Sequence, residues 1–219
     1  MYITLDGPEA TGKSTAAKSL SDRLGKSGHN VFLTKEPGSP HDPVCMAIRK
    51  ILLDPSHAIA DRAAVLLFLA DRAQHIERVT EALSGGAVVV SDRSSLSTYV
   101  YHTAKERDFV SESEDVGICA MIDFAQQVKP DVGFIFNSEL EWSLDKMRSR
   151  KSLDRIELFD ESFHARTHTL FEEYNVARAS AMLLKSPAEI VYVPATSGHT
   201  ECEISDFLFE RVMLHLERE

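Results

Sequence analysis

The stretch Tyr2–Ser14, YITLDGPEATGKS, decides the fold. Its first five residues are mostly apolar and β-branched or aromatic, which is typical of a buried strand. The octapeptide that follows, Gly7–Ser14, matches the phosphate-loop pattern GxxxxGK[ST] at every fixed position. A strand before this motif and a helix after it form the context in which such a loop binds phosphate. The stretch therefore predicts an α/β protein with a nucleotide-phosphate site near its N-terminus.

Each fixed position of the loop has a physical role. Gly7 and Gly12 allow backbone conformations in which successive N–H groups converge on phosphate oxygens. Lys13 is expected to reach the β- and γ-phosphates, and Ser14 is expected to offer its hydroxyl to Mg²⁺. The predicted ATP-binding set is the loop and its first helical neighbour: Gly7, Glu9, Ala10, Thr11, Gly12, Lys13, Ser14 and Thr15.

Strand-like runs and helical patterns alternate along the rest of the chain. The runs are Tyr2–Asp6, Val31–Thr34, Ala87–Ser91, Val132–Phe136 and Ile190–Pro194. The helical patterns include Thr15–Gly25, Ala60–Ser84, Glu141–Arg148, Ser162–Leu184 and Glu201–Arg218. This alternation implies βαβ crossovers and a parallel sheet covered on both faces. We expect one P-loop domain over residues 1–219, a three-layer α/β/α fold with a five-stranded parallel sheet and its active site at the carboxyl ends of the strands.

The composition excludes several classes of protein. The 219 residues are 43% hydrophobic and 26% charged, as in ordinary globular proteins. The formal net charge of −10 disfavours nucleic acid and anionic membranes as partners. The longest apolar run, Ala63–Ala70, is far shorter than the roughly 20 residues that span a bilayer. Three scattered cysteines, and no secretory pattern after Met1, lead us to expect a cytoplasmic protein.

Missing motifs narrow the class of nucleotide-binding protein. A GTPase is expected to carry an Asn-Lys-x-Asp base reader and an Asp-x-x-Gly switch after a strand, and the sequence has neither. The chain length leaves little room for the extra elements of a motor ATPase. A small kinase is the class that this sequence favours.

Four ordered segments resemble the thymidylate kinase family, and the resemblance extends over nearly the whole chain. The segments are Thr34–Gly38 (TKEPG), Leu66–Ile76 (LLFLADRAQHI), Asp92–Tyr101 (DRSSLSTYVY) and Leu153–Glu157 (LDRIE). The resemblance implies transfer of phosphate from ATP to dTMP, with Mg²⁺, to give dTDP. It also implies a homodimer formed through the Ala60–Ser84 helix, with small molecules as the substrates.

The resemblance implies that residues of the first three segments bind dTMP. Pro37 is the binding residue in the first segment. Phe68 and Arg72 are four residues apart and share one helical face, where a ring and a guanidinium can hold a planar base. In the family, the ring stacks on thymine and the arginine donates to its O4. Taken alone, the apolar run around Phe68 favours a plain core residue.

Asp92 and Arg93 follow the strand Ala87–Ser91, at a carboxyl strand end beside the phosphate loop. Arg93 can bind the acceptor phosphate through two hydrogen bonds, and Asp92 can hold Mg²⁺ through water. A surface ion pair between the two is the alternative. The resemblance adds Ser97 at the base edge and Tyr101 against the sugar, where it leaves no room for a 2′-hydroxyl.

The phosphate loop lacks one charge that some family members have. They carry arginine where this chain has Ala10, while the acidic residue matching Glu9 approaches the 3′-hydroxyl of the acceptor.

Lys146–Arg155 holds five basic residues and one acid, within an expected lid at about residues 146–158. Cations near the equatorial phosphate oxygens are what phosphoryl transfer requires, whereas a solvated helix face is the alternative.

The lid arginines receive separate roles. We expect Arg155 to be the transition-state arginine, with Arg150 second, and Arg148 to lie against adenine. By resemblance, Pro194–Thr196 lines the adenine pocket. The acceptor phosphate is mostly a dianion at neutral pH, since its second pKa is about 6, so no general base is required.

Two alternative functions stay open at this point. A deoxynucleoside kinase would share the phosphate loop and use Glu36 or Asp92 as the base for a hydroxyl acceptor. A non-catalytic nucleotide-binding regulator would use the loop for binding alone.

Four positions stand apart from these motifs. Many family members have tyrosine and glutamine where this chain has Ser94 and His102. The smaller Ser94 could admit a larger pyrimidine 5-substituent and bond to a polar one, unless a neighbour such as Tyr99 fills the space. His164 and His168 have a spacing that can bind zinc, but no cysteine or carboxylate motif supports a site, so we expect them to face solvent.

Overall fold

The computed structural model describes residues 1–105, 112–172, 189–194 and 198–217. Its strands are β1 (Tyr2–Asp6), β2 (Val31–Lys35), β3 (Val88–Asp92), β4 (Val132–Asn137) and β5 (Glu189–Pro194). The helices within the described ranges are α1 (Lys13–Lys26), α2 (Pro43–Leu53), α3 (Asp61–Ser84), α4 (Ser95–Lys105), α5 (Glu112–Gln126), α6 (Leu140–Arg148), α7 (Glu161–Leu170) and α8 (Glu201–Leu216).

The five strands form one parallel sheet in the order β2-β3-β1-β4-β5. In this register Leu5 of β1 pairs with Asp92 of β3, and Asp6 pairs with Ile135 of β4. The carboxyl ends of the three central strands therefore meet at one edge, where the phosphate loop leaves β1. This arrangement confirms the predicted five-stranded parallel α/β fold.

Each face of the sheet carries its own apolar core, because side chains alternate along a strand. One cluster joins the sheet to α1 and α8 and includes Ile3, Leu5, Leu20, Leu24, Phe134, Phe136, Leu208 and Val212. The other joins it to α3, α4, α5 and the end of α7, and includes Leu69, Val100, Ile122, Ile135 and Phe171. Burial on both faces explains why the central strands are mostly apolar.

The helices differ in part from the sequence prediction. Helix α1 begins inside the motif at Lys13, two residues before the predicted start. The predicted Ser162–Leu184 helix corresponds at its start to α7, and its residues 173–184 lie outside the described ranges. Helix α2 was not predicted, although Asp42 caps it by accepting hydrogen bonds from the second and third residues that follow, and Pro43 occupies its first position. None of the described helices combines the length and apolar character that a membrane span requires.

Candidate active site

A cleft at the carboxyl edge of the sheet brings together most of the residues that the sequence singled out. Those that line it are Glu9, Ala10, Thr11, Gly12, Lys13, Ser14, Thr15, Pro37, Phe68, Asp92, Arg93, Ser97, Tyr101 and Arg150. Four others do not line it: Gly7, Arg72, Arg148 and Arg155.

Backbone geometry shapes the phosphate loop. Gly7 has φ 144° and Gly12 has φ 91°, both in the region that favours glycine. A Cβ atom at Gly7 would lie 2.1 Å from the carbonyl oxygen of Phe136, so the loop passes β4 too closely for any side chain. Ala10 also has positive φ, 58°. These conformations turn the chain between β1 and α1.

Lys13 is buried in the floor of the cleft. Its Nζ donates to the Pro8 carbonyl oxygen and, at 3.1 Å, to Thr11 Oγ1. Burial and the charge of Arg93 lower the pKa of Lys13 to about 7, against the opposing effects of Glu9 and the nearby aspartates. Because an anion beside an ammonium favours its charged form, a bound phosphate would raise this pKa again.

Ser14 and Asp92 meet beside the loop and form a pair of oxygen ligands. The Ser14 hydroxyl donates to Asp92 Oδ2 at 2.5 Å. The other carboxylate oxygen, Oδ1, is buried and has no hydrogen-bond partner among the described residues. Hydroxyl and carboxylate oxygens are ligands that Mg²⁺ prefers, so this donor set fits that ion.

Glu9, Arg93 and Tyr101 form a charged cluster across the cleft from Lys13. Glu9 Oε1 accepts hydrogen bonds from Arg93 at 2.5 Å and from the Tyr101 hydroxyl at 2.9 Å. The guanidinium also lies over the Tyr101 ring, 5.0 Å from its centroid. Burial raises the pKa of Glu9, but Arg93, Lys13 and the Tyr101 hydrogen bond outweigh it and hold the pKa at about 2. Glu9 is therefore anionic and acts as a hydrogen-bond acceptor.

Ser94 and Ser97 are bound to Asp6, a buried carboxylate at the end of β1. Both Asp6 oxygens accept from Ser94, from its amide at 2.9 Å and from its hydroxyl at 2.6 Å. The Ser97 hydroxyl donates to Asp6 at 2.6 Å and accepts from Arg93 at 3.3 Å. The Ser94 hydroxyl thus donates its single proton to Asp6. It cannot also donate a hydrogen bond to the polar pyrimidine 5-substituent considered above. Ser97 is directed at Asp6 and Arg93.

Helix α3 contributes a half-buried aromatic ring and a buried charge network to one wall of the cleft. Phe68 is half-buried and lines the cleft, unlike its buried neighbour Leu69. Arg72 is buried and donates to Thr98 Oγ1 at 2.9 Å, while its Nε has no hydrogen-bond partner among the described residues. The same guanidinium forms an ion pair with Glu36 Oε2 at 2.5 Å. Arg72 is therefore held between α4 and the Glu36 carboxylate and does not itself line the cleft.

Sequence reasoning did not find the rest of this network. His75 Nδ1 lies 2.8 Å from Glu36 Oε1, and its Nε2 lies 2.8 Å from Thr34 Oγ1. Asp71 lines the cleft nearby and accepts from the Gly38 amide at 2.9 Å. Burial, with Glu36, raises the pKa of Asp71 to about 6. The helical spacing of Phe68, Asp71, Arg72 and His75 was a signal that could have indicated one functional face.

The lid arginines take three different positions. Arg150 lines the cleft and forms an ion pair with Glu157. Arg155 is 8% exposed and does not line the cleft, and its Nε donates to the Leu52 carbonyl oxygen at 2.6 Å. Arg148 is exposed and pairs with Asp145 at 3.1 Å on the surface of α6. Of the two arginines expected to serve catalysis, the structure brings only Arg150 into the cleft.

The expectation that His164 and His168 face solvent is wrong. Both are buried, because α7 packs against α4 and α6 and turns this pair inward. His168 Nδ1 lies 3.0 Å from the Ser138 carbonyl oxygen, and burial lowers the pKa of His168. Within the described residues no cluster of three or more metal-ligating side chains occurs. In the predicted adenine pocket, Pro194 ends β5 and residues 195 and 196 lie outside the described ranges.

The fold and the cleft define a class of protein. A parallel α/β sheet, a GxxxxGK[ST] loop at its carboxyl edge, a serine–aspartate pair and a cleft lined by Lys13, Arg93 and Arg150 are the features of a P-loop kinase. The family model of thymidylate kinase matches residues 5–192. The chain belongs to the thymidylate kinase family.

Relatives named thymidylate kinase resemble the chain over most of its length. The protein of an Exiguobacterium species is 31% identical and the alignment covers 97% of this chain and 95% of the relative. That of Pseudomonas fluorescens is 37% identical over 89% of this chain and 87% of the relative. That of Halothermothrix orenii is 35% identical over 84% and 87%.

Proposed function

We propose that the chain transfers the γ-phosphoryl group of ATP to dTMP, giving ADP and dTDP. The observation that carries this proposal is the position of Arg93, whose guanidinium contacts the Gly7 carbonyl oxygen at 3.1 Å and also Ser97 and Tyr101 of α4. The Arg93 guanidinium therefore contacts both the phosphate loop and the aromatic ring of Tyr101. It suits an acceptor with a phosphate at one end and a base at the other.

The residues of the cleft divide the work of phosphoryl transfer. Lys13 and the loop amides hold the donor phosphates, and Arg93 draws the acceptor phosphate toward them. Arg150 is the lid cation placed to stabilise charge on the equatorial oxygens. Phe68 supplies the surface on which the base stacks. The pKa of Glu9 is about 2, so its carboxylate is too weak a base for proton abstraction and serves as a hydrogen-bond acceptor.

Ser14 and Asp92 are the residues that would hold Mg²⁺. Asp92 Oδ1 gives this pair an acceptor that no side chain or backbone group of the described residues occupies. When bound, Mg²⁺ neutralises charge on the β- and γ-phosphate oxygens.

We also propose a cytoplasmic homodimer formed through α3 and α5. These helices pack side by side and expose large apolar side chains, with Leu66 at 58%, Val116 at 62% and Phe124 at 82%. Large exposed apolar groups of this kind mark interaction surfaces. None of the three cysteines forms a disulfide, which fits a reducing compartment.

A coupled assay of ADP release tests the reaction. Rapid ADP formation with dTMP but not with thymidine is the expected result. Release with thymidine alone would indicate a deoxynucleoside kinase, and release with neither would indicate a regulator, although the family assignment supports neither alternative.

The same assay tests whether the space beside Ser94 admits a larger substituent at position 5 of the pyrimidine. A kcat/KM for 5-hydroxymethyl-dUMP close to that for dTMP would support tolerance of a larger substituent, and strong preference for dTMP would exclude it. Ser94→Tyr restores the side chain common in the family and is the comparison variant.

A further inference from the structure

Arg155 binds the C-terminal end of α2. Its amide donates to the Leu53 carbonyl oxygen at 3.0 Å, and its Nε donates to that of Leu52 at 2.6 Å. Carbonyl groups in the last turn of a helix have no partner within the helix, and they attract cations because the helix dipole is negative there. The guanidinium also lies near the Phe159 ring, 5.6 Å from its centroid. These contacts fasten the lid to α2.

Helix α2 is itself held in place by hydrogen bonds to neighbouring parts of the chain. Its capping residue Asp42 also accepts from Gln74 of α3 at 2.9 Å, which ties the two helices together. Arg49, in the middle of α2, donates to the Pro37 carbonyl oxygen at 2.7 Å. The end of α2 therefore has a defined position relative to the wall of the cleft.

A tight turn formed by residues 154–157 connects Arg155 to Glu157 within the lid. Asp154 Oδ1 accepts from the amides of Ile156 at 2.9 Å and Glu157 at 3.0 Å. The Asp154 amide donates to Glu157 Oε2 at 3.1 Å. Arg155 lies inside this turn, so fixing Arg155 on α2 also fixes the carboxylate of Glu157.

Glu157 in turn holds Arg150. The Glu157 side chain is 6% exposed and the Arg150 side chain is 44% exposed, so the carboxylate is the anchored partner of the ion pair. Arg150 is a long side chain that loses rotamer freedom when it is held in one place. The pair therefore places the Arg150 guanidinium in the cleft that contains the phosphate loop.

We propose that Arg155 is a positioning residue that docks the lid on α2 and, through the 154–157 turn and Glu157, sets Arg150 at the phosphate loop. This inference rests on the proposed function for its catalytic consequence. The docking itself is independent of it. Arg155 itself does not line the cleft that contains the phosphate loop.

A double-mutant cycle separates positioning from direct catalysis. Arg155→Ala is expected to lower kcat for dTMP about tenfold or more in the wild-type background, but less than about threefold in the Arg150→Ala background, because the two residues act as one unit. Arg155→Lys, which keeps a cation near the Leu52 carbonyl, is expected to recover part of kcat. Arg166→Ala is the matched control, since Arg166 Nε also donates to a carbonyl near a helix end, that of Ala104 at 2.7 Å. It is expected to leave kcat unchanged.

Hydrogen–deuterium exchange of the full chain measures docking without reference to activity. Exchange in residues 149–157 is expected to increase in Arg155→Ala and to stay near the wild-type level in Arg166→Ala. An equal loss of kcat in both backgrounds, an unchanged kcat in Arg155→Ala, or unchanged exchange in the lid would each overturn the proposal. If wild-type protein fails to phosphorylate dTMP, the proposed function fails and the exchange result alone decides the docking role.

Discussion

Lys13 shows how the surroundings of one residue set its charge. Burial and Arg93 lower its pKa to about 7, so near neutral pH its ammonium depends on the anions around it. Glu9 has the opposite balance, since the cations beside it hold its pKa at about 2. The cleft therefore contains Glu9, which stays ionised at neutral pH, and Lys13, whose charged form a bound polyphosphate would stabilise.

Replacing Lys13 tests this assignment at the residue scale. Lys13→Ala is expected to lower kcat by at least about 10²-fold, because charge stabilisation is the main contribution to phosphoryl transfer. Circular dichroism should show an intact fold. Lys18→Ala, at an exposed position of α1, is the control and should keep the wild-type rate. Near-normal turnover by folded Lys13→Ala would remove the kinase mechanism.

Asp71 provides a test by pH. Its pKa is raised from 3.8 to about 6 in the folded chain, so the folded state binds its proton more tightly than the unfolded state does. Its contribution to stability is therefore full below about pH 4 and is lost as the pH rises through about 6. Relative to Asp71→Asn, the unfolding free energy of the wild type should fall over this interval, as measured by urea unfolding. Parallel pH profiles for the two proteins would contradict the assignment.

At the scale of single elements, side-chain caps set where several helices begin. Asp42 and Asp160 accept amide hydrogen bonds from the first turns of α2 and α7. Helix α8 has a capping box, in which Thr200 and Glu203 each bond to the backbone of the other. These bonds satisfy amides that have no partner within a helix.

The capping box predicts a measurable loss of stability. Thr200→Ala is expected to lower the unfolding free energy by about 1 kcal/mol, the usual cost of a lost cap. The rate with dTMP should not change, because α8 packs on the sheet face and does not line the cleft. Glu210→Ala, at an exposed position within the same helix, serves as the control. Equal denaturation midpoints for both variants would show that the cap contributes little.

At the scale of the whole molecule, the exposed apolar surface of α3 and α5 is the basis of the proposed homodimer. Val116 and Phe124 are eight residues apart and so lie on one side of α5, and both are exposed. A second copy of the chain would cover them and remove apolar area from water.

A charge at this surface tests the dimer. Phe124→Glu is expected to give monomers at concentrations where the wild type sediments as a dimer, because burying an unpaired carboxylate is costly. Leu214→Glu introduces the same charge at an exposed apolar position of α8 and should leave the dimer intact. Sedimentation velocity distinguishes these states. A monomeric wild type would rule out the dimer.

The sequence by itself was sufficient for the sheet and the phosphate loop. Strand β1, the loop and α1 are contiguous, so local pattern, glycine positions and the fixed spacing of the motif predict them together. The apolar runs predicted all five strands to within a residue at either end, because strands buried on both faces are mostly apolar. The gathering of Asp92 and Arg93 at the loop followed from the same rule for parallel strands.

Only the tertiary structure decided which way several side chains point. Arg150 and Arg155 are five residues apart in one basic segment, yet one enters the cleft and the other binds the end of α2. His164 and His168 looked like surface residues and are buried, because the neighbours of α7 come from distant parts of the chain. Charge content and helical spacing describe a segment alone, whereas a side chain's direction depends on the partners that folding places beside it. For Arg155 and His168 those partners are the carbonyl oxygens of Leu52 and Ser138, which lie 103 and 30 residues away in the sequence.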